Sequence, residues 1–185
     1  MVSMRNYVAV APRGVRSEKM GGCDKTGYGW NQTAEGIHQA QRRVSECIAQ
    51  AQRKFHISRQ RVFLAGFDTG GTMAFRVAMT CPSRFAGVLS FCGPFPSGQT
   101  PLGHLAEARK LPIFLAAGRD SQEYPAAEVC ANLRLFHTAG LSTTLRQYPF
   151  GHELGPQMLA DMDRWIIEQV TASKMPAEDE DWQEC

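Results

Sequence analysis

The chain has 185 residues, 43% hydrophobic and 21% charged, with a formal net charge of +2. That composition fits one globular domain with a real core, and its near-neutrality excludes an argument for nucleic acid as partner. The basic clusters QRR, QRK and SRQR stand apart, as on a solvated helix face, and no run of about 18 apolar residues marks a membrane span.

Asn6 to Gly14 (NYVAVAPRG) reads as a short buried strand running into a turn. Residues 15–32 are rich in glycine and aperiodic, hence a loop, and their Tyr28 and Trp30 suggest packing over something. Thr33 is a helix N-cap with Glu35 in the first turn. Ile37, Ala40, Val44, Ile48, Ala51 and Phe55 then form one apolar face of a helix ending near FHIS. Arg61 to Gly66 is a strand, followed by a sharp turn and a helix to about Thr80, stopped by Cys81-Pro82. Phe85 to Gly93 and Leu111 to Gly118 are further strands. A helix over Pro125 to Ala139 ends at Gly140. Ser142 to Pro149 is a fifth strand, and a last helix spans about Gly155 to Ala172 with Met158, Leu159, Met162, Trp165, Ile166 and Val170 as its buried stripe. The strands are almost wholly apolar and alternate with helices. The expected fold is therefore α/β, a three-layer α/β/α sandwich with a mostly parallel sheet of about five strands. Residues 1–172 form the single domain, and the acidic tail 173–185 is expected to be disordered.

Ligands of such sheets bind beyond the carboxyl ends of the strands. There the sequence places Gly66-Phe67-Asp68-Thr69-Gly70, a G-x-Nuc-x-G elbow between a clear strand and a clear helix. Small neighbours let the backbone close around the central residue, and the Thr69 N–H then points at a developing oxyanion. Aspartate is also a good helix N-cap, so Asp68 has a purely structural reading beside the chemical one. His152 follows the fifth strand as the candidate general base, and Asp120 follows the fourth as the acid that orients it. Ser121 and Glu123 compete with Asp120 for that place. Phe67, Trp30, Tyr28 and Phe95 are candidates for an apolar substrate pocket, with core packing the plainer role. His38, His56, His104 and His137 read as surface or helix-face residues.

The six cysteines, at 23, 47, 81, 92, 130 and 185, form no C-x-x-C pair, and no histidine cluster has zinc spacing. They read as core or incidental thiols of a cytoplasmic protein. The first residues have too short an apolar core for a signal peptide. No metal, nucleotide or other cofactor is expected, since GFDTGG lacks the Gly-Lys-Ser/Thr of a phosphate loop.

RVFLAGFDTGGTMAFRVAMTCPSRFAGVLSFCGPFP and LRQYPFGHE resemble the phospholipase/carboxylesterase branch of the α/β-hydrolases, over about residues 5–170. The resemblance implies a truncated α/β-hydrolase fold, no cofactor and an esterase ancestry. It maps the nucleophile to Asp68, where the family carries serine, the base to His152 and the acid to Asp120. The acid segment GRDSQEYP departs from the family pattern, and counting back from Pro125 reaches Ser121. Family members also carry two or three strands before the first strand here, including one that ends in an oxyanion loop. The sheet is therefore expected to re-pair its first strand with the elbow strand, or to form a homo-oligomer through its exposed edge. A start at an internal methionine of a longer gene gives the same truncation.

GFDTGG also looks like the elbow of epoxide hydrolases and haloalkane dehalogenases, but residues 97–110 are too few for their cap domain. The favoured reading is a weak carboxylesterase-type hydrolase of small acyl or aryl esters. The alternatives are an inactive hydrolase-like binding or structural protein, and an Asp-nucleophile hydrolase of epoxides or alkyl halides.

Overall fold

Four parallel strands form the centre, in the spatial order β3-β4-β5-β6: β3 (Phe63–Phe67), β4 (Gly87–Phe91), β5 (Ile113–Gly118) and β6 (Thr143–Tyr148). The computed structural model describes residues 7–17 and 27–172. β4 and β5 are buried at every residue, which is why they lack the alternation of a half-exposed strand. Val88, Ile113 and Leu115 face one core with α2 (Thr69–Thr80) and α4 (Ala126–Ala139). Leu89, Phe91 and Phe114 face a second core under α5 (Pro156–Ala172). α1 (Ala34–Lys54) packs its apolar face on the first core. A short α3 (Leu105–Ala108) interrupts the link from β4 to β5. The outcome is the expected α/β/α sandwich with a mainly parallel sheet.

Aromatic groups anchor both cores. Phe75, Phe95 and Phe136 meet with centroids 5.2, 5.9 and 5.0 Å apart. Trp165 of α5 packs against Phe114 at 5.6 Å and Phe63 at 6.1 Å. Thr33 caps α1 as expected, its hydroxyl accepting from Gly36 N–H at 3.2 Å. Gly140 closes α4 at φ +72°, a left-handed conformation that favours glycine.

Two expectations fail before α1. Residues 7–14 form no strand, and Val8 and Val10 are exposed. A short apolar run becomes a strand only with a ladder to pair with. This one is held instead by Tyr7 Oη donating to Asp163 at 3.0 Å and by Arg43 donating to the Arg13 carbonyl at 2.8 Å. It therefore does not re-pair with the elbow strand, and the sheet has four strands rather than five. The expected loop contains a small antiparallel pair, β1 (Val15–Ser17) with β2 (Gly27–Gly29). Its residues 18–26, and the acidic tail 173–185, lie outside the described residues. β3 is an edge of the sheet among the described residues.

Burial pushes the enclosed Tyr124 phenol from 10.0 up to about 12, and burial with the Asp163 hydrogen bond does the same to Tyr7. Tyr148 is raised by burial first and by its bond to Asp161 second. The unfolded chain releases these protons earlier than the folded chain does. Their contribution to stability is therefore whole below pH 10.0 and lost as pH rises towards about 12. Urea titrations stepped through alkaline pH should show the midpoint falling over that window, and Tyr124→Phe should make the fall shallower.

Candidate active site

Asp68 stands one residue beyond β3 with φ +52° and ψ −124°, backbone territory that a non-glycine residue occupies at a cost of about 1–3 kcal/mol. The surroundings hold it there. Its N–H donates to Phe91 O at 2.9 Å, and its carbonyl accepts from Gly71 N at 2.8 Å and Thr72 N at 3.1 Å. The turn is so tight that a Cβ on Gly66 would collide with the Gly70 carbonyl. Although Asp68 sits at the N-cap of α2, its side chain makes no capping hydrogen bond. Its Oδ1 instead lies 3.5 Å from His152 Nε2.

His152 sits in the turn between β6 and α5. Beyond the strand ends, Arg119 N–H donates to Tyr148 O at 2.8 Å and Asp120 N–H to Phe150 O at 3.1 Å, which ties this turn to the one after β5. Gly118 permits the approach, because a Cβ there would run into the Gly151 carbonyl. The imidazole side chain is only 14% exposed and packs 5.2 Å from the Phe67 ring, centroid to centroid.

The other imidazole nitrogen meets Ser121. Nδ1 lies 3.0 Å from Ser121 Oγ and 3.8 Å from Glu123 Oε2, the latter on a largely exposed side chain. Asp120, the expected acid, is exposed, and among the described residues no side-chain contact joins it to His152. The reason is the turn. Ser121 N–H bonds back to Gly118 O at 3.3 Å, which faces residue 121 inward and residue 120 outward. The sequence signal for this was the count back from Pro125. The Thr69 N–H, first in α2, has no acceptor among the described residues and stands beside Asp68 at the positive end of the helix.

Of the expected pocket residues, Phe67 borders His152, and the Trp30 indole lies 3.7 Å from where a Cβ on Gly70 would stand. Tyr28 is exposed and stacks beneath the Arg13 guanidinium at 5.1 Å. Phe95 is a correction: it is buried between Phe75 and Phe136 in the first core, so it serves packing rather than a pocket. Cys92, read from the sequence as a core or incidental thiol, is a core thiol. It follows β4 at φ +54°, wholly buried, with its thiol 4.0 Å from Glu153 O. Burial pushes this thiol up, the nearby Asp68 and Glu123 charges add to the rise, and bonds at Gly118 and Glu153 oppose it. A buried, protonated thiol is a poor nucleophile, so Cys92 belongs to the second core. Among the described residues no group of three His, Cys, Asp or Glu side chains is arranged to hold a metal ion. No described helix is long and apolar enough to cross a membrane.

The folds of solved structures match this one. Arabidopsis thaliana SOBER1 superposes with a TM-score of 0.65 at 19% identity, over 80% of this chain and 76% of that one. The Bacillus cereus carboxylesterase gives 0.63 at 16%, over 85% and 73%. Acyl-protein thioesterase 1 of Eremothecium gossypii is 28% identical over 144 residues, 76% of this chain and 60% of that protein. Its Gibberella zeae namesake is 24% identical over 76% and 61%. The chain thus spans about three-fifths of the length of these curated relatives. The sequence profile of the Phospholipase/Carboxylesterase family matches residues 23–169, elbow and histidine turn included, and the chain belongs to that family.

Proposed function

We propose that the chain is a weak hydrolase of small acyl esters or thioesters, with Asp68 as general base. The observation that carries this reading is the uncapped, strained Asp68 carboxylate held against His152 beside the free Thr69 N–H. A carboxylate attacking the acyl carbon of an ester would have to form an anhydride, which lies above the ester in energy, and the adduct expels the carboxylate more readily than the alkoxide. Water is the better nucleophile. Its oxygen attacks the carbonyl carbon, its proton passes to Asp68, and the carbonyl electron pair moves onto oxygen opposite the Thr69 N–H. As the intermediate collapses, the proton on Asp68 goes to the departing alkoxide. His152 holds the carboxylate in place, and Phe67 and Trp30 offer an apolar wall to the acyl group. The names of the thioesterase relatives support extending the substrate class to thioesters.

Among the described residues Cys47, Cys92 and Cys130 form no disulfide, which supports the cytoplasmic reading. The free β3 edge supports a homo-oligomer in which a second copy covers it. Sedimentation equilibrium should then find a dimer, and a monomer at every concentration would reject that pairing.

Purified protein should hydrolyse p-nitrophenyl butyrate, and His152→Ala should lower the rate by about a hundredfold or more. Equal rates in the two proteins would sink the hydrolase reading. Asp68→Gly should separate strain from chemistry. It should abolish turnover while raising stability by about 1 kcal/mol in urea titration, the relieved backbone strain less the entropy of glycine.

A further inference from the structure

The hydrogen-bond inventory around His152 fixes where its proton lies. Ser121 is 3% exposed, and its Oγ already accepts the Tyr124 N–H at 3.0 Å. Its own hydroxyl hydrogen is buried and must find an acceptor. Among the described residues the atom in reach is His152 Nδ1, at 3.0 Å. If Nδ1 accepts, the ring hydrogen of neutral His152 sits on Nε2, facing the Asp68 carboxylate at 3.5 Å. The opposite tautomer would aim the Nε2 lone pair at a negative oxygen and leave the Ser121 hydrogen without a partner. Glu123 alone favours that opposite tautomer, from 3.8 Å and a mostly exposed side chain, where water weakens its pull.

We infer that Ser121 is a positioning residue, and that the hydrogen-bond relay from Ser121 through His152 towards Asp68 is oriented opposite to that of a serine hydrolase. In the usual triad, hydroxyl donates to Nε2 and Nδ1–H donates to carboxylate. Here Ser121 O–H donates to Nδ1, and Nε2–H faces the Asp68 carboxylate at 3.5 Å. Hydroxyl and carboxylate have exchanged places across one imidazole. Ser121 thereby sets the tautomer that orients the Asp68 carboxylate for its role as base. His152 cannot accept a proton at Nε2 from a group at the elbow while that nitrogen holds its own. The relay deepens the proposed function and rests on it only for its kinetic consequence.

The test has two arms. In ¹⁵N-histidine NMR of the full chain, followed through the His152 titration to the neutral ring, Nε2 should be protonated and Nδ1 bare. Ser121→Ala should shift the population towards Nδ1–H, since only Glu123 then faces that nitrogen, whereas a merely structural serine would leave it unmoved. A neutral wild-type ring protonated at Nδ1 overturns the inference, whatever the enzyme's activity. The second arm reverses the exchange. Asp68→Ser combined with Ser121→Asp should hydrolyse p-nitrophenyl butyrate about a hundredfold faster than Asp68→Ser alone, with a burst of p-nitrophenol as the acyl-enzyme forms. If the double variant folds and gains nothing over the single one, the exchanged relay is wrong. An inactive wild type with the expected tautomer would defeat the hydrolase reading and leave the relay standing.

Discussion

The site depends on a backbone ladder that does not stop where the strands do. Asp68 N–H still pairs with Phe91 O, Cys92 N–H with Ala116 O, Arg119 N–H with Tyr148 O, and Asp120 N–H with Phe150 O. Each bond fixes the first residue of a turn against its neighbouring strand. Parallel pairing stacks the strand ends at one edge of the sheet, so three separate turns meet there. Only then do Asp68, Ser121 and His152, far apart in sequence, come within hydrogen-bonding range. Two sheet faces buried by helices on either side make the ladder rigid enough to hold a strained residue at its end.

Strain gives meaning to what the Asp68 carboxylate does not do. It sits at the start of a twelve-residue helix where aspartate caps well, a contact worth about 1 kcal/mol, and it does not cap. Turning to the helix would draw it from His152. The fold therefore carries both an unfavourable backbone conformation and an unused cap at one residue. A position selected for packing alone would have relaxed to glycine or used the cap. Cys92, next door at the end of β4, shares the positive φ but has a buried side chain that packs in the second core.

Much of this was legible in the sequence. Unbroken apolar runs identified β4 and β5 because a strand buried on both faces tolerates little else. Thr33 and Gly140 marked helix ends through local chemistry that needs no tertiary context. The elbow glycines were legible for the same reason. What was not legible depends on partners. The run of residues 7–14 has the composition of a strand, and only the absence of a ladder makes it a surface segment. Phe95 is apolar either in a pocket or in a core, and its sequence neighbours do not say which. The choice among Asp120, Ser121 and Glu123 turns on a single hydrogen bond, Ser121 N–H to Gly118 O, that rotates the turn by one residue.

A carboxylate in place of a hydroxyl alters which acyl bonds the site can break. In the proposed reaction no covalent acyl-enzyme forms, so water must be activated while the leaving group is still attached to the acyl carbon. In the proposed reaction one backbone donor among the described residues, Thr69 N–H, would serve the oxyanion, and the loss of a single such donor costs about 10²–10³ in rate. The proton on Asp68 after attack is the one acid at hand. An alkoxide needs that proton to depart, whereas a thiolate, with a conjugate acid near 8.5, leaves without it. A thioester therefore relieves the site of its weakest step. The same reasoning ranks aryl esters above alkyl esters, because a phenolate, with a conjugate acid near 10, also departs more readily than an alkoxide. In the proposed reaction substrate choice thus follows from leaving-group acidity more than from pocket shape, with Phe67 and Trp30 the apolar side chains near Asp68 and His152 among the described residues.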